Sequence, residues 1–237
     1  MSRELYEREL LLGSEHVDCF RKLRTSTLFE LLQIASIRHT EELGMGRDKT
    51  LDKGLLWVIT RQHVIIDRWP EYDEKICVRS WPGNTMHVLF PRYYEILSES
   101  GDILICGSAL WNLIDTKTRT VAFPDEYGVA IEGAENGREL PYITKLAPLE
   151  LTNSAVFRVP YSYVDINGHM NNTRYFDLVE DNIPAASEGL QLKEIRTEYS
   201  AEARLGEELL LEWGEDSGRY YVLGSCGHPC FKMSLQY

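Results

Sequence analysis

The 237-residue sequence has no apolar run near the roughly 18 residues that a membrane-crossing helix requires. Basic residues are in short supply: 25 Lys and Arg stand against 37 Asp and Glu, a formal charge of −12. Sequence-independent binding of nucleic acid or anionic lipid needs a basic surface, so neither partner is expected. The opening MSRELYEREL lacks both the apolar core of a secretion signal and the acid-poor composition of a transit peptide. A cytoplasmic protein, in contact with neither membrane nor nucleic acid, is the expectation. Cysteines are few, odd in number and scattered (Cys19, Cys77, Cys106, Cys226, Cys230), which favours free thiols over a disulfide framework. The tightest group, Cys226-Gly-His228-Pro-Cys230, lacks a fourth zinc ligand and reads as plain strand, so no metal and no cofactor is assigned. What is present, 43% hydrophobic and 26% charged residues, is the composition of a folded chain of one large or two small domains.

An internal repeat organises the chain. His16 to Gln33 laid over Tyr163 to Glu180, a shift of 147 without gaps, gives four identities in 18 positions: Val17/Val164, Asp18/Asp165, Phe29/Phe176 and Leu31/Leu178. Tyr72 to Val78 resembles Leu205 to Leu211 at a shift of 133, so the first copy carries about 14 extra residues between the two stretches. Each copy reads as a short strand, a polar loop, a helix and then several strands. In the first, Leu5–Leu12 precedes a helix with a capping-box pattern at Thr27-x-x-Glu30 and apolar residues around most of its circumference. Such a helix is expected to be buried on nearly all sides. In the second, Ala155–Pro160 precedes a helix through Tyr175, Phe176, Leu178, Val179 and Ile183, with Pro184 as its stop.

The strands that follow are Leu55–Asp67, Lys75–Trp81, Met86–Leu97 and Ile103–Ile114, then Lys193–Ala201, Glu207–Gly214, Arg219–Leu223 and Pro229–Leu235. Turn signals separate them, among them Ser100-Gly-Asp102 and Asp216-Ser-Gly218. The order implies an α+β fold in which a mostly antiparallel sheet wraps around buried helices, made twice. The stretch Asp125–Leu149, punctuated by Gly128, Gly133, Gly137, Pro141 and Pro148, reads as a connection. The expected division is therefore 1–130, a linker 131–150, and 151–237.

Chemistry concentrates in Val164-Asp-Ile-Asn-Gly-His-Met-Asn-Asn-Thr-Arg-Tyr175. Asp165, Asn167 and His169 stand at alternate positions, which share a side in an extended segment, just before a helix begins. Free backbone N–H groups at that helix start would suit a developing oxyanion, so acyl transfer fits the pattern. The aligned residues of the first copy are Asp18, Phe20 and Lys22, so one site per chain is expected. The same residues are also turn formers, and Asn171 or Asn172 can simply cap the helix.

The run Asp165-Ile-Asn167-Gly-His169-Met-Asn171-Asn172, with Tyr175, resembles the signature of acyl-acyl-carrier-protein (acyl-ACP) thioesterases, enzymes of tandem (double) hotdog fold. Leu56-Trp-Val-Ile-Thr-Arg61, Trp81-Pro-Gly83 with Arg92, Leu110-Trp-Asn-Leu-Ile-Asp115 before Thr118-Arg119, and Glu198-Tyr-Ser-Ala-Glu202-Ala203 fit as well. The resemblance implies hydrolysis of the thioester joining a fatty acyl chain to the carrier protein's phosphopantetheine arm. It implies Asp165, Asn167, His169 and Glu202 as the catalytic set, and the acyl carrier protein as partner; a homodimer is compatible with it. Plant members have cysteine where this chain has Ala203, so a carboxylate mechanism is expected, with Glu202 or Asp165 as base or nucleophile. The absence of a transit extension favours a bacterial, cytoplasmic setting.

Strict alternation from Lys193 places Glu202 beside Glu194 and Glu198 on a solvated face, unless the strand ends before it. The acyl chain needs an apolar tunnel, for which the first helix is the expected wall. An acidic carrier needs a basic patch, for which Arg158, Arg174, Arg196 and Arg204 are candidates. An acyl-CoA thioesterase, another hotdog enzyme such as a dehydratase, and a non-catalytic acyl-thioester-binding hotdog remain the alternatives.

Overall fold

The structure is a computed structural model and describes residues 4–135, 138, 140, 143–148 and 150–237. The first copy comprises β1 (Tyr6–Leu11), α1 (Thr25–Glu42), β2 (Leu55–Ile66), β3 (Lys75–Pro82), β4 (Phe90–Ser98) and β5 (Ile103–Asp115). The second comprises β6 (Asn153–Arg158), α2 (Arg174–Glu180), the single turn α3 (Pro184–Ser187), β7 (Glu194–Tyr199), β8 (Glu208–Asp216), β9 (Arg219–Ser225) and β10 (Pro229–Gln236).

All ten strands join one sheet in the order β1-β3-β4-β5-β2-β7-β10-β9-β8-β6, with every pairing antiparallel. Each half has the same topology, counted outward from a central β2–β7 pair. That seam aligns Arg61–Ile65 with Glu198–Glu194. Glu194 ties it together by accepting from His63 Nε2 at 2.8 Å, Arg196 at 2.7 Å and Arg219 at 2.8 Å. Burial works against the charge on Glu194, but these three donors outweigh it and hold its carboxyl at about 2.

Turn chemistry places the hairpins where the sequence marked them. Ser217 and Gly218, both at positive φ (53° and 77°), make the two-residue loop between β8 and β9, the handedness that matches strand twist. Residues 86–89 close a turn of their own, with His87 at φ 58°, so β4 begins at Phe90 and not at Met86. Cys226-Gly-His228 is the β9–β10 turn, Cys226 N–H donating to the His228 carbonyl, rather than continuous strand.

The two helices share one core. Phe29 of α1 stacks on Phe176 of α2 with centroids 3.9 Å apart, within one buried cluster that also holds Leu28, Leu32, Val64, Ile96, Ile195 and Met233. Three expectations about helices need correction. α1 begins at Thr25, so Thr27 lies inside its first turn; no side chain caps Arg24, and the Thr25 hydroxyl instead donates to Glu180 across the α1–α2 contact at 2.5 Å. α1 is not buried all round, because sheet and α2 cover one side and leave Ile34 and Ile37 37% and 46% exposed. Pro184 does not stop a helix through Ile183: α2 ends at Glu180, and Pro184 opens the separate turn α3.

Among the described residues, 131–150 contain no helix or strand, yet the stretch is anchored. Val129 and Ile131 pack with Leu55, Phe90 and Leu113, and the Ile131 carbonyl accepts from Thr85 N–H at 3.0 Å. Farther on, Leu146 N–H reaches Glu198 Oε1 at 3.1 Å. Gly137, Pro141 and Leu149, part of the expected linker, lie outside the described residues.

Candidate active site

The repeat is reproduced in most of the hydrogen bonds of the loop before each helix. Val17 bridges Leu23, as Val164 bridges Met170. Asp18 N–H donates to the Lys22 carbonyl at 2.8 Å, and Asp165 N–H to the His169 carbonyl at 2.9 Å. Asp18 Oδ1 accepts from Phe20 N–H at 2.8 Å, and Asp165 Oδ1 from Asn167 N–H at 2.8 Å. Arg21 and Gly168 occupy the same left-handed position, φ 65° and 81°. The segment is thus a tight Asx turn and not extended backbone, which is why alternation does not describe it. Asp165, Asn167 and His169 are held together by the turn itself.

The loop docks on the segment after β7 in the same paired fashion. Leu23 N–H bonds the Pro70 carbonyl at 2.8 Å, and Met170 N–H the Ala203 carbonyl at 2.7 Å; Lys22 bridges Glu71 as His169 bridges Arg204. Superposed this way, Phe20 answers to Asn167, Lys22 to His169 and Trp69 to Glu202. These are the positions at which the copies differ chemically, whereas the aspartate is common to both.

β7 ends at Tyr199, so Glu202 leaves the strand's alternation and turns toward the loop. Its Oε2 lies 3.1 Å from His169 Nε2 and also receives Arg119 Nη2. The His169 side chain is 15% exposed and that of Glu202 33%, a solvent-accessible but sheltered pair. Tyr175 steadies the segment, its buried hydroxyl accepting from Ala203 N–H at 3.3 Å. The Ala203 side chain is fully buried. Asn167 reaches back to Asp165 with Nδ2 at 3.4 Å from Oδ2.

Two parts of the site differ from expectation. The amides at the α2 start are largely spoken for: Asn171 N–H donates to the Tyr163 carbonyl, Thr173 N–H to Asn171 Oδ1 and Arg174 N–H to the Asn171 carbonyl. Asn171 is thus the local capping side chain, and these N–H groups are not open to an oxyanion. Arg119, in sequence only the end of a motif after β5, sits in a left-handed turn at φ 58° and crosses from the first half to the second. Nothing in sequence spacing links positions 83 residues apart.

A cavity of about 330 Å³ opens beside the loop. Ile37 and Thr40 of α1, Leu55, Trp57, Phe90, Arg92 and Trp111 of the first half line it, and Ile166 and Asn167 form its rim. Of the four expected site residues only Asn167 borders it. Half of the expected basic patch is neutralised: Arg174 pairs with Asp177 at 2.9 Å and Arg196 with Glu194, while Arg158 donates to the neutral Gly206 carbonyl and keeps its charge. Arg204 stands next to His169 in their bridge. No described helix is long and apolar enough to cross a membrane, and no described group of three or more His, Cys, Asp or Glu side chains could hold a metal ion.

Comparison with known proteins agrees with this architecture. Residues 3–129 match the acyl-ACP thioesterase N-terminal domain and residues 147–222 the acyl-ACP thioesterase C-terminal domain. The palmitoyl-acyl carrier protein thioesterase of Cuphea hookeriana, a chloroplastic protein, is 23% identical over 226 residues, covering 88% of this chain and 54% of that one. The chain spans about half the length of the curated relatives it matches. Among solved structures, an acyl-ACP thioesterase from Bacteroides thetaiotaomicron superposes with a TM-score of 0.84 at 21% identity, covering 100% of this chain and 99% of that one. The 12:0-ACP thioesterase from Umbellularia californica gives 0.82 at 20% identity, covering 98% and 96%. The fold is the expected double hotdog.

Proposed function

The chain belongs to the acyl-ACP thioesterase family, and we propose that it hydrolyses the thioester between a fatty acyl group and the phosphopantetheine arm of an acyl carrier protein. The products are the free fatty acid and the carrier thiol. The observation that carries this is the asymmetry of the twin loops. Both halves build the same turn, but only the second carries an amide and an imidazole on it, with the Glu202 carboxylate against the imidazole, beside a cavity walled by the first.

In this mechanism Glu202 is the general base. It takes a proton from water as the oxygen attacks the thioester carbonyl, and His169, in contact with it, relays that proton to the departing sulfur. The C–S bond breaks as the acid forms. Asn167, at the cavity rim, offers its amide N–H to the carbonyl oxygen; its long bond to Asp165 is weak and readily exchanged. Arg119 holds Glu202 in place. Asp165 is the scaffold of the turn, as Asp18 is in the half without chemistry. A base contributes about 10²–10⁴-fold, to which the carbonyl contact of Asn167 adds, and the carrier thiolate is a better leaving group than an amine.

Residues 1–130 then house the acyl chain, 131–150 connect, and 151–237 supply the reacting groups. The cavity of about 330 Å³, lined largely by apolar and aromatic side chains, is the place for the acyl chain. The carrier protein would approach past Arg204 and Arg158, with the enzyme in the cytoplasm, either alone or as a homodimer. The test is release of free thiol from acyl carrier proteins of graded chain length, run beside the matching CoA esters. Cleavage of carrier esters is expected, with a preference among the chain lengths. Cleavage of CoA esters alone would make it an acyl-CoA thioesterase, and binding without cleavage would make it a sensor.

A further inference from the structure

The two copies differ in length as well as in chemistry. The roughly 14 extra residues of the first fall after its helix begins. There α1 runs 18 residues where α2 runs 7, and the segment from Leu43 to Gly54 then joins α1 to β2. That segment folds mostly on itself, as two single 3-10 turns at Arg47–Lys49 and Leu51–Lys53. Lys49 N–H donates to the Gly46 carbonyl at 3.1 Å and Gly54 N–H to the Leu51 carbonyl at 2.9 Å. The Thr50 hydroxyl donates to the Gly46 carbonyl at 2.9 Å, and Arg47 pairs with Asp52 at 3.0 Å. Its side-chain tie to the sheet is long, Trp57 Nε1 lying 3.4 Å from the Met45 carbonyl. A glycine stands near each end, Gly44 at φ 76° and Gly54 at φ 79°, with no atom closer than 3.6 Å to where a Cβ would sit. Left-handed backbone, not crowding, requires glycine at both.

Met45, Gly46, Arg47, Thr50 and Leu51 of this segment border the cavity beside the catalytic loop, and Ile37 borders it from α1. Ile37 is 46% exposed and Leu51 40%, so two separate elements offer the cavity a wet apolar margin. Apolar side chains in that position gain by being covered. We propose that residues 44–54 are a strap, hinged at Gly44 and Gly54, that closes over the acyl chain and, through Leu51, makes the enzyme favour long acyl groups over short ones. This rests on the thioesterase reading above and extends it to how the acyl group is selected. A long chain reaches between α1 and the strap, where Ile37 and Leu51 pack on its methylenes; a short chain ends before them. Closure disturbs little, because most of the strap's hydrogen bonds are internal and move with it.

The test has two arms, both on the full chain. In the first, amide hydrogen exchange of residues 44–54 is followed with dodecanoyl- and hexanoyl-pantetheine analogues in which N–H replaces the sulfur. Exchange at Lys49, Thr50, Lys53 and Gly54 should slow at least about tenfold with the dodecanoyl analogue and far less with the hexanoyl one. Unchanged exchange at a concentration where calorimetry shows the site filled overturns the strap, and equal slowing by both analogues overturns selection by length. The second arm takes the ratio of kcat/KM for dodecanoyl over hexanoyl carrier protein. In Leu51→Ala, which removes a partly exposed side chain and should stay folded, that ratio should fall about tenfold, a buried methylene being worth about fourfold. A folded Leu51→Ala with the wild-type ratio overturns the proposal as well. If wild type cleaves no carrier thioester and neither analogue binds, the thioesterase reading has failed and the strap's selective role falls with it. That outcome is distinct from a filled site beneath an unmoved strap.

Discussion

Three substitutions separate scaffold from chemistry, and the first half of the molecule supplies the control. Asp165→Asn keeps an oxygen that can accept from Asn167 N–H at 2.8 Å; Asp18→Asn does the same for Phe20 N–H in the loop without catalytic groups. In each, a charged acceptor becomes a neutral one, a loss of about 1 kcal/mol. For a chain of this size that is a drop in Tm of about 2–4 °C, somewhat larger for Asp18→Asn, because Asp18 Oδ1 also accepts from Lys22 N–H at 2.9 Å. If the aspartate only builds the turn, Asp165→Asn should retain kcat within about tenfold, since the amide still holds the loop that carries His169. Glu202→Gln keeps the shape of the side chain and removes the base, so kcat should fall about 10²–10⁴-fold. Its partly exposed pairs with His169 and Arg119 are worth at most about 1 kcal/mol, so the variant should stay folded. The assay is thiol release from fatty acyl carrier protein, with thermal melts of all three variants. The reasoning is refuted if Asp165→Asn loses activity as deeply as Glu202→Gln while melting no lower than Asp18→Asn, for then Asp165 would have a chemical role that its twin lacks.

Other expectations follow from the same geometry. Arg119→Met should lower kcat about tenfold to hundredfold with little change in KM and almost none in stability, because the residue aims Glu202 without touching the acyl chain; Arg119→Lys should recover part of the loss in steady-state kinetics. Glu180 is pushed up to about 7, chiefly by burial and further by Asp177, against the opposing bond from Thr25. A carboxyl raised in the fold favours its protonated form, so its support is full below about pH 4.5 and fades as pH rises through 7. Glu180→Gln should therefore gain on wild type over that window, by on the order of 3 kcal/mol above pH 8, in denaturant melts across pH. Raised ionic strength should slow cleavage of carrier-bound esters more than of a small acyl thioester, and equal sensitivity would remove the electrostatic part of carrier docking.

Several features were open to reading from sequence because they rest on local rules. Alternating β-branched and aromatic residues, turn dipeptides such as Ser217-Gly218 and a repeat shared by two stretches led to ten strands in two like sets, with boundaries mostly within a few residues. The repeat even carried the fine structure, since one aspartate in the same loop makes the same Asx turn twice. Its asymmetry pointed to Asn167 and His169. Helix details were less legible: Thr27-x-x-Glu30 obeys a capping rule, yet the bond that Thr25 makes with Glu180, a partner 155 residues away, took precedence at that end of α1.

By itself, then, the sequence determined the order of elements, the duplication and which loop carries polar chemistry, because each depends on neighbours along the chain. The tertiary structure alone decided which halves meet at β2–β7, that Glu202 faces His169 and Arg119, and that the first half walls a cavity ending at Asn167. It also decided that Asp165 is tied up in its own turn and that Arg92 is buried on β4. Those facts depend on distances between residues far apart in the chain and on exclusion of water. Neither quantity exists until the sheet has closed around its helices.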